Sequence, residues 1–239
     1  MGTEPKMISI IIPVLNEAGN LPATLANIQT AGNVEVIVVD GGSQDSTIQI
    51  AQSLGVKVLS APAGRACQMN VGAKAATGNI LLFLHADTRL PPGFDAMVAG
   101  ALFAASSGKT AAKPPIAGAF ELRIDASPRS LRLIESGVNW RSRWLQMPYG
   151  DQAIFLKTEV FHDIGGFSEL PIMEDFELMR RLRRLGRIVI IPVPVLTSVR
   201  RWLRLGVFKT TLINQIAIIA YLLGVPPEQI AYWYRRGAS

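Results

Sequence analysis

Cysteine, histidine and long apolar runs are scarce in this 239-residue chain. Its one cysteine, Cys67, rules out an intramolecular disulfide and fits a reducing compartment. A nucleophilic cysteine needs a base, and the only histidines are His85 and His162, so Cys67 is read as a small buried residue. No apolar stretch reaches the roughly 20 residues that span a bilayer. The early run MISIIIPVL is short, contains Pro13 and lacks a small-residue cleavage site, so no signal peptide is expected, and the opening MG is read as a plain start. There is no GxGxxG. The GKT at 108–110 has neither the upstream glycine nor the preceding strand of a phosphate-binding loop. Repeats and low-complexity tracts are absent as well.

What is present is a globular composition, 49% hydrophobic and 18% charged, enough for one large core. The net charge of +6 is unevenly placed: Lys/Arg and Asp/Glu balance at 7 and 7 before Glu121, then run 17 against 11. Such an excess suits nucleic acid, a phosphate-bearing ligand or an anionic surface.

Strand and helix signals alternate through the first half. MISIIIPVL, VEVIVVD, VKVLSA and NILLFLHAD read as strands, separated by helical or loop-helix segments at 16–32, 41–55 and 64–78. Continuous apolar strands between helices predict an α/β fold with a mostly parallel central sheet covered on both faces. Residues 105–115 read as a surface loop, IAGAFELRID as a further strand, and MPYGDQAIFLKTEVFHDIGGF as loop, strand and short helix. EDFELMRRLRRLG has helical spacing, and RIVIIPVPVLTS, with two prolines, is expected at a sheet edge. From 206 to 239 the chain changes character. An apolar core from Leu212 to Val225 carries Asn214 and Gln215 and is flanked by Arg, Trp and Tyr, which suits a helix on a membrane surface or one packed on the main domain at 1–205.

In open parallel sheets, ligands bind beyond the carboxyl ends of the strands. The first strand offers Pro13, Asn16 and Glu17 there, the second Asp40, Gly42, Ser43 and Asp45, the third leads to Arg65, and the fourth to His85 and Asp87. Asp40 could accept from a ribose or a base, or cap a helix. Asp87 suits a hard cation carrying a diphosphate, or a turn cap. Residues two apart in an extended segment share a face, which would put His85 beside Asp87. Glu174 and Asp175 open a helix, where the dipole favours acids. Arg200, Arg201 and Trp202 could grip phosphates or form a basic surface.

Taken in order, these segments resemble the inverting family 2 glycosyltransferases of the GT-A (nucleotide-diphospho-sugar transferase) fold. ISIIIPVLNEAGNL is similar to that family's S(I/V)IIPxYNExxxL, VEVIVVDGGSQDST to EIIVVDDGSxDxT, and GRACQMNVGAKAATGNILLFLHADT to ARNxGxxxAxGxxIxFLDADD. The resemblance spans roughly residues 8 to 205. GRACQMNVGA with HADT is most like a small bacterial subgroup. The resemblance implies a nucleotide-sugar donor, UDP-linked by preference. Pro13, Asn16, Glu17, Asp40, Gly42, Ser43, Arg65, Asn70 and His85 would contact it, with Arg200, Arg201 and Trp202 beside its diphosphate. Asp87 would hold Mg²⁺ or Mn²⁺, and Asp175 or Glu174 would be the catalytic base. Two departures stand out: His85 replaces the first Asp of DxD, and DGG replaces DDG.

The expected reaction is attack of an acceptor hydroxyl, deprotonated by Asp175 or Glu174, on the anomeric carbon, with inversion. The acceptor is unnamed by the sequence; the tail favours a lipid-linked one, on a cytoplasmic protein held peripherally at the inner face of the plasma membrane. A nucleotidyltransferase would carry a basic Gly-rich loop after the first strand, where NEAGNLP has no Lys or Arg. A non-catalytic nucleotide-binding or membrane-surface scaffold is favoured only by His85. No recognised motif supports nucleic-acid binding, so none is expected.

Overall fold

A computed structural model describes residues 7–29, 31–103, 115–126, 129–199 and 206–237. The first half is built as the pattern predicts: β1 (Ile8–Val14), α1 (Leu21–Ile28), β2 (Val34–Asp40), α2 (Thr47–Ser53), β3 (Lys57–Ser60), α3 (Arg65–Lys74) and β4 (Ile80–Phe83). A two-residue β5 (Thr88–Arg89) and α4 (Phe94–Phe103) follow. Then come β6 (Pro115–Ile124), α5 (Arg129–Leu145), a 3-10 turn at Gly150–Gln152, β7 (Phe155–Lys157), α6 (Thr158–Asp163), α7 (Glu174–Leu185) and β8 (Arg187–Thr197). The chain closes with α8 (Val207–Leu222) and α9 (Pro227–Gly237). Apart from Pro115, the loop expected at 105–115 lies outside the described residues, as do Arg200, Arg201 and Trp202.

The eight strands form one sheet in the order β3-β2-β1-β4-β7-β6-β8-β5. The first four pair in parallel, because each is reached through a helical crossover. β7 then inserts antiparallel between β4 and β6, which makes the sheet mixed. β8 runs parallel to β6, and the edge position falls to β5, which pairs with β8 only at Thr197 and Leu196. The expectation of an edge strand is therefore corrected by one short strand. The prolines explain why the correction is small: β8 slips register against β6 between Ile191 and Pro194, and no β5 residue pairs there.

All seven residues of β1 are buried, since both faces of the sheet are covered. Ile8, Ile10, Ile12 and Val14 pack with Leu21, Leu25 and Ile28 of α1 and Phe94 and Val98 of α4. Ile11 points to the other layer, with Met69 and Ala73 of α3 and Met179 and Leu182 of α7. Gly72 lets α3 approach closely, for a Cβ there would sit 2.4 Å from Ile11 Cγ2. Cys67 on that helix is half-buried, not fully enclosed.

The C-terminal helices join this second layer. Ala217 and Ala220 of α8 and Ile230 and Ala231 of α9 pack in the same cluster as Phe176 of α7. Tyr221 stacks edge-on against Phe176 with centroids 5.7 Å apart. One side of the tail thus packs on the domain. Among the described residues no helix is long and apolar enough to cross a membrane.

Candidate active site

The strand ends of the parallel half open into a cavity of about 870 Å³. Its floor is braced by side chains that bond to main chain. Gln68, buried on α3, donates from Nε2 to the carbonyls of Val14 and Val39 at 2.9 and 2.8 Å, which satisfies the ends of β1 and β2 together. The loops after those strands are clasped as well. The Asn16 amide donates to Ser43 Oγ at 2.9 Å, and the Gln44 amide to Asn16 Oδ1 at 2.8 Å. The Asp40 carboxylate accepts from the amides of Gly42 and Ser43 at 2.8 and 3.0 Å, where Gly42 has a φ of +97° that favours glycine.

Of the residues singled out by sequence, Pro13, Glu17, Arg65, His85, Asp87 and Asp175 line the cavity together. Asn16, Asp40, Gly42 and Ser43 form the clasped loops beside it. Asn70 is spent elsewhere: its side chain exchanges hydrogen bonds with the main chain of Phe167, both at 2.9 Å. His85 and Asp87 reach the cavity by a turn, in which the Thr88 amide donates to the His85 carbonyl at 3.1 Å, not by strand alternation. β4 itself stops at Phe83.

Glu174 and Asp175 take different positions although they are adjacent. Met173, before α7, has a left-handed φ of +69°, so the chain turns sharply into the helix. Glu174 is tucked in and paired with Arg65 Nε at 2.7 Å. Burial pushes its carboxyl above the ordinary value of 4.5, Arg65 pulls it back in part, and the Asp175 charge raises it further. Asp175 faces the cavity. Its Oδ2 accepts from the Gly150 amide at 2.7 Å and its Oδ1 from the Phe176 amide at 2.7 Å. A Cβ on Gly150 would lie 3.1 Å from His85 Nε2 and 3.3 Å from Asp175 Oδ2, so the turn after β4 and the start of α7 converge at this glycine.

Sequence reasoning did not single out the 3-10 turn. Tyr149 and Asp151 line the cavity there, and Gln152 anchors the turn by donating to the Phe120 carbonyl at 2.9 Å and accepting from Ser142 Oγ at 2.8 Å. The Arg141 guanidinium covers the Tyr149 ring at 3.5 Å from its centroid. Burial raises the Tyr149 pKa, keeping a neutral phenol in the wall. Also missed were Thr210, Asn214, Ala217, Ile218 and Tyr234 of the tail, which close the cavity on its far side. The polarity of Asn214 within an apolar run was their one signal.

Among the described residues no three His, Cys, Asp or Glu side chains are grouped as a complete metal-ligand set. The cavity offers Asp87 and His85 on one turn, with Asp151 and Asp175 on other walls. Mg²⁺ is commonly held by one or two carboxylates with substrate phosphates and water supplying the rest. That donor set fits an ion brought with a diphosphate, not an ion caged by protein.

A mixed α/β sheet with a polar cavity at its parallel strand ends, walled by an acidic helix start, is the architecture of GT-A glycosyltransferases. The glycosyl transferase family 2 model matches residues 9–168, and the chain belongs to that family. A PGL/p-HBAD biosynthesis glycosyltransferase of Mycobacterium bovis is 46% identical over 93 residues, 35% of this chain and 36% of that protein. An undecaprenyl-phosphate 4-deoxy-4-formamido-L-arabinose transferase of Aeromonas hydrophila is 32% identical over 104 residues, 38% of this chain and 32% of its own length. The matches thus span about a third of these curated relatives. Among solved structures, S. aureus TarS 1-349 in complex with UDP superposes with a TM-score of 0.64 at 18% identity, covering 80% of this chain and 60% of that one. Glucosyl-3-phosphoglycerate synthase from Mycobacterium tuberculosis, in complex with Mn²⁺, UDP and phosphoglyceric acid, gives 0.63 at 20% identity, covering 92% and 80%.

Proposed function

We propose that this protein transfers a sugar from a nucleotide-diphospho-sugar, UDP-linked by preference, to an acceptor hydroxyl with inversion at the anomeric carbon. The observation that carries this reading is the convergence of Asp87, His85 and Asp175 on one cavity at the ends of β1 and β4. UDP in the TarS complex, and UDP with Mn²⁺ in the synthase complex, support the choice of donor.

The nucleoside lies along Pro13, Glu17 and the clasped loop at Asp40, Gly42 and Ser43. Asp87, with His85 beside it, would hold Mg²⁺ or Mn²⁺, which supplies positive charge to the diphosphate. Asp175 is the general base: its carboxylate, held by the Gly150 and Phe176 amides, takes the acceptor proton as the acceptor oxygen bonds to the anomeric carbon and the diphosphate leaves from the opposite face. Glu174, occupied by Arg65, positions that helix start and does not itself take the proton. Arg200, Arg201 and Trp202 are assigned to the diphosphate on the family resemblance alone. Hydrolysis of UDP-sugars in the presence of Mn²⁺ should be detectable in the wild type and fall at least 100-fold in Asp87→Ala. Equal rates in the two proteins, or none with any donor, would contradict the proposal.

The side of α8 and α9 turned away from the domain exposes Leu212, Ile216, Ile219, Leu223 and Trp233. We assign this row to peripheral contact with the cytoplasmic face of a membrane, with residues 206–239 as a membrane-facing appendage to the catalytic domain at 1–205. A lipid-linked acceptor agrees with the undecaprenyl-phosphate for which the Aeromonas hydrophila relative is named. Co-sedimentation with anionic vesicles should be lost in a Leu212→Ser/Ile216→Ser/Ile219→Ser variant; retention would remove this assignment.

A further inference from the structure

Helix α8 presents two unlike sides. At about 100° per residue, Thr210, Asn214, Ala217, Ile218 and Tyr221 fall within one arc, while Leu212, Ile216, Ile219 and Leu223 fall on the opposite one. The first set faces inward: four of its members line the cavity, and Tyr221 packs on Phe176. The same cavity is lined by Pro171, Ile172, Met173 and Phe176, from the segment leading into α7 and its first turn, and the last three share a buried cluster with Ala217. The cavity is therefore divided. Its strand-end side carries Glu17, Arg65, Asp87 and Asp151, whereas its tail side sets Ile172, Met173, Phe176, Ala217 and Ile218 beside only neutral polar groups, those of Thr210, Asn214 and Tyr234. Asp175 stands next to Phe176, where the polar side meets the apolar one.

We infer that α8 and α9 build the acceptor subsite, and that the acceptor is amphiphilic: a hydroxyl-bearing head joined to an apolar body. The body lies between Ala217 and Ile218 on one wall and Ile172 and Phe176 on the other. Its head is thereby held at Asp175. One polar pair interrupts the apolar wall: the Tyr234 hydroxyl donates to Asn214 Oδ1 at 3.0 Å, tying α9 to α8 and supplying polar atoms for the head. The small Ala217 leaves the width between the walls, and a charged or very large side chain there would close it. This inference rests on the glycosyltransferase reading, because it takes Asp175 as the base.

The test compares octyl β-D-glucoside, below its micelle-forming concentration, with methyl β-D-glucoside, which has the same head and no apolar body. Binding is measured by saturation-transfer NMR with UDP and Mn²⁺ present, on the full chain. The octyl compound should bind at least tenfold more tightly, because its chain leaves water for the apolar wall. Ala217→Trp and Ile218→Glu should each abolish that preference while keeping the melting-temperature rise given by UDP with Mn²⁺, which also reports that each variant is folded. Equal affinity of the two glucosides, or an octyl preference that survives in both variants and so belongs to the outer Leu212–Ile219 face, would overturn the inference. The two readings fail separately. Without a UDP shift in the wild type, the transferase reading falls and the acceptor assignment falls with it; equal affinities with the UDP shift intact remove the acceptor assignment alone.

Discussion

Replacing Asp175 by asparagine keeps the side-chain shape and removes one charge, so it separates chemistry from architecture. Asp175 uses both oxygens, accepting from Gly150 through Oδ2 and from Phe176 through Oδ1 at 2.7 Å each. Asparagine has a single acceptor oxygen, and its NH₂ would meet whichever amide the oxygen does not serve. One of the two bonds is lost, at about 1–2 kcal/mol, and the melting temperature should fall by only a few degrees. The chemical loss is larger. A positioned general base contributes about 10²–10⁴-fold, or roughly 3–5 kcal/mol at 1.36 kcal/mol per decade. The assay is transfer from a UDP-sugar to an amphiphilic alcohol, with UDP affinity measured alongside. Asp175→Asn should lower kcat by at least 100-fold, with the Kd for UDP and Mn²⁺ within about threefold of wild type. A kcat within tenfold of wild type would refute the base assignment, and an equal loss in nucleotide affinity would mean that Asp175 serves the donor.

Gln68→Ala should cost about 1–3 kcal/mol in urea unfolding, because it removes one hydrogen bond at each of the carbonyls of Val14 and Val39, of which Val14 keeps the Gly41 amide; a change below about 0.5 kcal/mol would show that this brace adds nothing to stability. Glu174 gives a pH-dependent signature. Because its folded-state pKa lies above 4.5, the native protein holds this proton after the unfolded chain has released it, so stability falls as pH rises from 4.5 through the folded value. Glu174→Gln should flatten that part of the stability–pH curve, and an unchanged slope would contradict the burial argument. Gly150→Ala should lower kcat, since its methyl group would press on His85 and Asp175; wild-type turnover would show that the turn yields without disturbing them.

The first half of the fold was legible because its information is local. Each of the four parallel strands is a short, mainly apolar run with polar residues at its end or within a few positions beyond it, and the crossovers fix which end of the sheet gathers them. Asp87 could be placed at that end, and Asp175 at a helix start, from neighbouring residues alone. What sequence could not show is which distant segments meet. Gln68 is one helix turn into α3 and bonds to two strands 54 and 29 residues away. Asp175 meets Gly150 across 25 residues through a left-handed Met173, a conformation that nothing in PIMED announces. The Glu174–Asp175 pair looked interchangeable; only burial and the reach of Arg65 separate them. The tail was ambiguous for a physical reason, because α8 carries apolar residues on both sides, and one side walls the cavity while the other is exposed.

The most direct test of the account is the thermal shift produced by nucleoside diphosphates with and without Mn²⁺. A ligand at 100 times its Kd adds about 2.7 kcal/mol, or about 5–10 °C for a domain of this size. UDP with Mn²⁺ should give such a rise in the wild type, UDP alone a smaller one, and Asp87→Ala should respond equally to UDP with or without the metal. No shift from UDP, GDP or TDP under either condition, or a full Mn²⁺-dependent shift in Asp87→Ala, would contradict the assignment of this cavity to a nucleotide-diphospho-sugar.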